Sequence, residues 1–303
     1  MSGPWKLFLG LAVSWYVWQF SFTICLCILL ILLSSRSHYF YSYITLQEYG
    51  KSVEVLGTKK EIDVVITEGS ISTAASVRDL LQDLVGTLPE LKPACNFLAV
   101  TLMNINSVWH PTISYSHYRN WDGKPMDEAP LFYYGADEYC GDKLAKVSDE
   151  VLAIRTAIQQ KYPGLDLSSL VHVRDWMLKS YGDDIGDKTN IHTMLITNKG
   201  YRGLTHPTVE VDTPEGKKHM PNFRYRYFTE DLPMGLAVTR GIAELAGVPT
   251  PNMDDVIIWA QKCMDKEYIV DGKFVGKDVA ATRSPQTYGF NDLDNFLKSN
   301  RYV

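Results

Sequence analysis

Cysteine is scarce in this chain of 303 residues, and its spacing fits no cysteine-based framework. Two of the five cysteines, Cys25 and Cys27, lie in an apolar N-terminal stretch, and the other three are far apart: Cys95, Cys140 and Cys263. A disulfide-bonded small domain and a zinc site both need closely and regularly spaced ligands or partners. We therefore predict neither a disulfide framework nor a bound metal.

Positive charge is not concentrated anywhere in the sequence. The chain has 30 basic and 35 acidic side chains, a net charge of −5, and its lysines and arginines are scattered. A nucleic-acid-binding surface needs a basic patch or stripe, so nucleic acid is excluded as a partner. Asn-x-Ser/Thr acceptor sites are also absent, which favours a cytosolic rather than a lumenal location for the soluble part.

Charge is missing altogether from residues 7–33, LFLGLAVSWYVWQFSFTICLCILLILL. About 20 apolar residues suffice to span a bilayer, whereas the apolar core of a cleaved signal peptide has only about 7 to 15. We therefore predict an N-terminal transmembrane anchor within residues 1–35, with the soluble domain in the cytosol. The alternative is that this stretch comes from an incorrect gene model, in which case the protein is cytoplasmic.

The pattern changes to that of a soluble protein after residue 47. Residues 51–67, KSVEVLGTKKEIDVVIT, contain β-branched runs at 52–56 and 62–67, which predict two strands with a short connection. The following segment, STAASVRDLLQDLVG at 72–86, has leucines at helical spacing and a glycine that would end the helix.

The segment NINSVWHPTISY, residues 104–115, places His110 directly before a proline. Proline disfavours helix continuation, so we expect the preceding apolar run to form a helix that ends near His110, with a buried face made of Phe97, Val100, Leu102 and Met103. A helix C-terminus favours the protonated imidazole, which suits a proton donor. The alternative is a histidine that only caps carbonyls. The tripeptide His-Pro-Thr, which begins at His110, recurs at 206–208, where we predict a loop histidine, His206.

The rest of the chain is mostly helical in pattern. Residues 112–134 are polar and aromatic and predict a loop. A long helix is predicted from about residue 137 to 162, with one apolar face formed by Leu144, Val147, Val151, Ile154 and Ile158. Shorter helices fit residues 168–181 and 190–197.

The segment NFRYRYFTEDLPMGLAVTRGIAELAGVPTPN, residues 222–252, contains the other candidate site residues. Arg224 and Arg226 alternate with tyrosines, which predicts an extended strand with both guanidinium groups on one side. Such a pair could bind a carboxylate, or it could protect an edge strand from aggregation. Asp231 precedes a predicted helix that ends at Gly247. It could cap that helix, orient a histidine, or do both.

Several of these segments, in the same order, resemble the octopine and related opine dehydrogenases. HP at 110–111, RYFTEDLP at 226–233 and TRGIAELAGVPTPN at 239–252 are similar to motifs of the C-terminal helical domain of that family. VEVLGTK at 53–59 is similar to the closing strand region of its nucleotide-binding domain. The resemblance implies a mainly α, 6-phosphogluconate-dehydrogenase-like domain at 92–303. A remnant of an α/β Rossmann domain would precede it at 36–91.

The resemblance also implies a reaction. Opine dehydrogenases condense an amino acid reductively with a 2-keto acid such as pyruvate, using NAD(H) or NADP(H). His110 would be the acid–base group, Asp231 would orient it, and Arg226 would bind a substrate carboxylate. An imidazole titrates near neutral pH, so it can deliver a proton to the carbonyl oxygen that leaves as water.

One expected feature is missing, because the glycine-rich G-x-G-x-x-G turn that receives a pyrophosphate occurs nowhere in the sequence. We therefore expect either an opine dehydrogenase whose nucleotide site is supplied from elsewhere or a truncated, inactive form. The alternative from a different class is a membrane-anchored, non-catalytic helical domain that binds amino acids, keto acids or a protein partner.

Overall fold

The computed structural model describes residues 41–48, 52–58, 61–65 and 76–300. The transmembrane anchor predicted within residues 1–35 lies outside these ranges. Among the helices within them, none is both long and apolar enough to cross a membrane.

The chain divides into two compact units. One comprises Met1–Ile62 with Gln82–Glu90, and the other comprises Asp63–Leu81 with Leu91–Val303. The three-part division at 1–35, 36–91 and 92–303 stays a prediction.

The first two described strands form an antiparallel pair. Strand β1 (Tyr41–Glu48) pairs with β2 (Ser52–Thr58), with Ile44 opposite Val55, and the register shifts at three places along the pair. The strand predicted at 52–56 is therefore confirmed. Its partner strand, β1, precedes it in the chain.

The next elements are short. Strands β3 (Glu61–Val64) and β4 (Glu90–Pro93) form a second two-stranded sheet. Between them in sequence, helix α1 (Val77–Val85) ends before Gly86, whose φ of 89° is a left-handed conformation that glycine adopts without a steric penalty. The helix and its predicted end are confirmed.

The helix expected to end at His110 is instead two helices, and the second continues through the proline. Helix α2 is Phe97–Leu102 and helix α3 is Ile105–Tyr118, with Pro111 inside α3. The predicted helix end at His110 was wrong, and so was the loop predicted to begin at residue 112. A proline inside a helix costs about 3 kcal/mol, but ten of the fourteen α3 residues are buried, and this packing outweighs the lost hydrogen bond.

The predicted buried face of the first helix was only partly right. Leu98, Ala99 and Leu102 are the buried residues of α2, whereas Phe97 is 47% exposed. Asn96 caps the helix by accepting a hydrogen bond from the Ala99 backbone N–H at 2.9 Å.

The long central helix follows its sequence pattern. Helix α4 (Glu138–Lys161) is capped by Asp137, whose side chain accepts a hydrogen bond from the Cys140 N–H at 2.8 Å. The five apolar residues predicted to form one face are all buried. Helix α4 is therefore confirmed almost to the residue.

The remaining described elements follow α4 in the chain. In chain order they are α5 (Val173–Tyr181), α6 (Ile191–Thr197), a 3₁₀ turn (Lys199–Tyr201), the antiparallel hairpin β5 (Thr208–Thr213) and β6 (Gly216–Pro221), α7 (Arg226–Thr229), a π-helical turn (Leu232–Leu236), α8 (Ala237–Ala246), α9 (Pro251–Cys263), 3₁₀ turns (Val279–Ala281 and Pro285–Tyr288) and α10 (Leu293–Ser299). Helix α3 packs against α4, α7, α9 and the π-helical turn. The larger unit is thus mainly α, as predicted, and α3 is central to it.

Candidate active site

His110 lies in the middle of α3 and its side chain is 4% exposed. Its Nδ1 is 2.6 Å from Oδ2 of Asp231, a residue 121 positions later in the chain. The distance is that of a short hydrogen bond between an imidazole and a carboxylate. The two residues that the resemblance paired are therefore in direct contact.

Asp231 lies between α7 and the π-helical turn, and this position places its side chain against His110. Its backbone is helical (φ −65°, ψ −30°), and its N–H donates to the Arg226 carbonyl at 3.1 Å. Its carbonyl accepts from the Leu236 N–H at 3.0 Å, which closes the wide π-helical turn. The Asp231 side chain makes no capping hydrogen bond, so the helix-cap interpretation was wrong, and the histidine-orienting one fits the geometry.

Two aromatic rings enclose the imidazole of His110. The ring of Tyr227 stacks on it, with centroids 3.7 Å apart and an interplanar angle of 17°. Phe132 approaches it edge-on at 5.8 Å. Burial raises the pKa of the Tyr227 hydroxyl well above its usual value, so this ring stays a neutral phenol.

Sequence reasoning missed Tyr227 as a neighbour of the imidazole. One signal was present, since Tyr227 and Asp231 are four residues apart and such positions share one face of a helical turn. The segment was expected to be a strand, in which the two side chains would not have been related in this way.

Arg226 begins the short helix α7, so the strand predicted for Arg224 and Arg226 was wrong. Its Nη2 is 3.5 Å from Oε2 of Glu230, and its side chain is 29% exposed. Arg224 is exposed. A pair of guanidinium groups on one face of a strand is therefore absent, and Arg226 remains the arginine next to the residues that contact His110.

A glycine makes the contact between α3 and the π-helical turn possible. A Cβ on Gly235 would lie 2.3 Å from the Cβ of Ser107, which is one turn before His110 on α3. Because only glycine allows this approach, Gly235 brings the turn that follows Asp231 close to the helix that carries His110.

His206 lies in the predicted loop, before β5, but it is 2% exposed. Its ring packs 4.5 Å from His117, 4.6 Å from Phe132 and 4.8 Å from Tyr118, and neither ring nitrogen has a hydrogen-bond partner among the described residues. Burial lowers the pKa of His206 well below its usual value, and it also lowers the pKa of His117. Both are therefore neutral at pH 7.

A cavity of about 200 Å³ lies further along α3, lined by His117, Arg119, Asn120, Asp137 and Cys140 among others. His110 and Asp231 are not among the residues that line it. The contact between His110 and Asp231 therefore does not form part of the lining of this cavity.

The strands described before α2 form two-stranded sheets, so the part of the chain that the structure describes does not include the multi-stranded parallel sheet beside which a dinucleotide binds. Within residues 61–65 and 76–300, His, Cys, Asp and Glu side chains form no group of three that could hold a metal ion.

Comparison with known proteins shows to which family the chain belongs. Residues 93–264 match the model of the "NAD/NADP octopine/nopaline dehydrogenase, alpha-helical domain". The chain belongs to this family. The matched range contains α2 to α9, and therefore His110, Arg226, Tyr227 and Asp231.

Individual relatives of the chain are dehydrogenases of the same kind. The chain is 46% identical over 252 residues to a tauropine dehydrogenase of Arabella iricolor, covering 83% of this chain and 63% of the relative. It is 44% identical to an octopine dehydrogenase of Mizuhopecten yessoensis, covering 83% of this chain and 62% of the relative. The chain thus spans just over six-tenths of the length of these relatives.

Solved structures of the family show the same fold. A structure of octopine dehydrogenase with NADH and L-arginine superposes with a TM-score of 0.75 at 42% identity, covering 84% of this chain and 62% of the other. A structure with NADH and agmatine gives a TM-score of 0.76 at 42% identity, over the same shares of both chains. These relationships confirm the mainly α fold predicted for the C-terminal domain.

Proposed function

We propose that this chain carries the acid–base and carboxylate-binding half of an opine dehydrogenase. The reaction is the reductive condensation of an amino acid with a 2-keto acid such as pyruvate, in which NAD(H) or NADP(H) supplies the hydride. The observation that carries the proposal is the 2.6 Å contact between His110 and Asp231 in a chain of this family.

His110 has the role of moving the proton. Nδ1 faces the carboxylate of Asp231, so Nε2, on the other edge of the ring, is the nitrogen that exchanges a proton with the substrate. Condensation of an amine with a keto group expels water, and the leaving oxygen must be protonated. His110 donates that proton, and the carboxylate of Asp231 stabilises the imidazolium and selects which nitrogen carries hydrogen.

Arg226 binds a substrate carboxylate in this proposal. Its guanidinium is partly exposed and has a weak contact of 3.5 Å with Glu230, which a better-placed carboxylate can replace. An arginine offers two parallel N–H donors to a carboxylate, so it holds the acid end and thereby aims the keto carbon.

The test is NADH oxidation by the purified full chain with an added octopine dehydrogenase nucleotide-binding domain, followed at 340 nm with pyruvate and a panel of amino acids that includes L-arginine. We expect turnover that requires both substrates and the added domain. Asp231→Asn should lower kcat by about 10² to 10⁴-fold, the range that a positioned acid–base group contributes. Arg226→Gln should mainly raise KM for the 2-keto acid.

The matched control is Asp142→Asn, an exposed aspartate on α4, which should keep wild-type kinetics. Absence of turnover with either NADH or NADPH would contradict the proposal for this chain. If an amino acid then still raised the melting temperature, the non-catalytic binding domain would be the better interpretation.

A further inference from the structure

We propose that Tyr227 is a positioning residue for the acid–base pair. Its stacked ring holds the imidazole of His110 in the plane in which Nδ1 meets Asp231 and Nε2 can reach a substrate. The inference deepens the proposed function and rests on it, but the geometry that it concerns can be measured without turnover.

The hydrogen bond to Asp231 restrains Nδ1 of His110, but the orientation of the ring plane also depends on what packs against its face. The terminal torsion of a histidine side chain has a broad energy minimum, so the ring can pivot about the Cβ–Cγ bond. Such a pivot moves both ring nitrogens and takes Nε2 away from the reacting atom. A misplacement of about 1 Å at a reacting group can cost about 10² in rate.

The ring of Tyr227 blocks that pivot. At a centroid distance of 3.7 Å and an angle of 17°, the two rings are in face-to-face contact, and any tilt of the imidazole drives it into the tyrosine. Tyr227 is itself held by Tyr225, edge-on at 5.0 Å, and by Phe132 at 5.2 Å. Tyr227 is therefore packed against aromatic rings on more than one side.

The stack also favours the charged state that the proposed mechanism needs. An aromatic face is electron-rich and attracts a cation placed over it. Burial raises the pKa of the Tyr227 hydroxyl, so the ring remains a neutral phenol. Both restricting the pivot and attracting the cation belong to the ring and not to the hydroxyl, so phenylalanine should preserve them.

One short segment supplies both restraints. Tyr227 and Asp231 are four residues apart, and the Asp231 N–H donates to the Arg226 carbonyl across the same turn. One side chain meets the edge of the imidazole and the other meets its face.

The first measurement is NMR of the full chain with ¹⁵N-labelled histidine. An Nδ1 proton hydrogen-bonded to a carboxylate gives a far-downfield signal. We expect this signal for His110 in the wild type and in Tyr227→Phe, and its broadening or loss in Tyr227→Leu and Tyr227→Met. Tyr139→Leu is the matched control, because Tyr139 is an exposed tyrosine on α4 whose ring contacts are with Tyr115 and Arg119.

The second measurement is turnover in the assay of the proposed function. We expect Tyr227→Phe to remain within about threefold of the wild type, and both aliphatic variants to lose at least about tenfold in kcat, with KM changed by less than about threefold. Tyr227→Met tests a longer, unbranched side chain of about the same volume as leucine. Urea unfolding of each variant identifies any loss that comes from instability.

The outcomes separate the two proposals. If either aliphatic variant folds and keeps the downfield signal and wild-type kcat, the positioning role is wrong. A Tyr227→Phe variant as impaired as the aliphatic ones would also overturn it, because the hydroxyl rather than the ring would then matter. If no protein turns over but the signal is lost only without an aromatic ring, the positioning role stands and the proposed function fails.

Discussion

Replacing Gly235 by alanine tests whether the close approach of α3 and the π-helical turn sets the geometry of the candidate site. The new Cβ would lie 2.3 Å from the Cβ of Ser107, about 1 Å short of ordinary contact. Because both atoms are attached directly to the backbone, no side-chain rotation relieves the overlap. The two segments must therefore separate.

The expected magnitudes follow from that separation. Overpacking of this kind costs about 1 to 3 kcal/mol in the free energy of unfolding. If the separation of about 1 Å is passed to the contact between His110 and Asp231, the distance rises from 2.6 Å to about 3.6 Å, beyond hydrogen-bonding range. We expect Gly235→Ala to lower stability by about 2 kcal/mol and to abolish the downfield Nδ1 proton signal.

A second substitution sharpens the test. Ser107→Gly removes the clashing Cβ, after which the nearest atom to the new Cβ is Nδ2 of Asn104 at 3.3 Å. Ser107→Gly alone should cost about 1 kcal/mol, and the double variant should be hardly less stable than this single variant. Ser107→Ala keeps the Cβ, so it should not rescue Gly235→Ala.

The assays are urea unfolding followed by tryptophan fluorescence and the imidazole proton signal. The reasoning is refuted if Gly235→Ala is within about 0.5 kcal/mol of the wild type and keeps the signal. It is also refuted if Ser107→Ala rescues as well as Ser107→Gly, because the clash would then not be the cause.

Three further predictions concern stability. Glu150→Ala should lower the free energy of unfolding by about 3 kcal/mol, because this buried carboxylate accepts three hydrogen bonds of 2.7, 2.8 and 2.9 Å from the first turn of α9. Urea unfolding measures the loss, with Asp142→Asn as the control. A loss below about 1 kcal/mol contradicts the prediction. His206 has a lowered pKa in the folded state, so its contribution to the free energy of unfolding is present above the unfolded pKa of about 6.5. This contribution is lost as the pH falls below that value, by up to about 1.4 kcal/mol per pH unit. Urea unfolding between pH 5 and 7 should show this slope, and His206→Phe should flatten it; an unchanged slope would exclude His206 as its source. Arg240→Lys should lower the melting temperature although the charge is kept. The guanidinium donates hydrogen bonds to two carboxylates at 2.6 and 2.9 Å and to a carbonyl at 3.0 Å, and one ammonium cannot match all three. An unchanged melting temperature would contradict the prediction.

The parts of the fold that could be predicted are those in which local pattern and tertiary packing agree. Helix α4 has apolar residues at a regular helical spacing, and the same residues are buried in the structure. The end of α1 at Gly86 and the end of α8 at Gly247, with φ of 68°, were likewise predictable from single glycines.

The errors come from places where tertiary packing overrides a local rule. Pro111 should have ended a helix, but the burial of α3 outweighs one lost hydrogen bond. Arg224 and Arg226 alternate with tyrosines as a strand would, but the segment closes into a helical turn. A period of two over four residues is too short to separate these outcomes.

The candidate site was predictable only in part. The pairing of His110 with Asp231 came from the resemblance, and the contact agrees with it. Tyr227 and Gly235 could not be found from residue type, because a stacked ring and a close backbone approach depend on how two distant segments meet. The role of Arg226 stays a prediction.

The crowding of Arg226, Tyr227 and Asp231 into a single turn makes this stretch intolerant of changes in length. Each added residue rotates a helix by about 100° and advances it by about 1.5 Å. One insertion between positions 227 and 231 would leave the tyrosine against the imidazole and point the carboxylate elsewhere. Related sequences can therefore vary the other side chains of this stretch, but they cannot lengthen or shorten it without breaking the His110 contact.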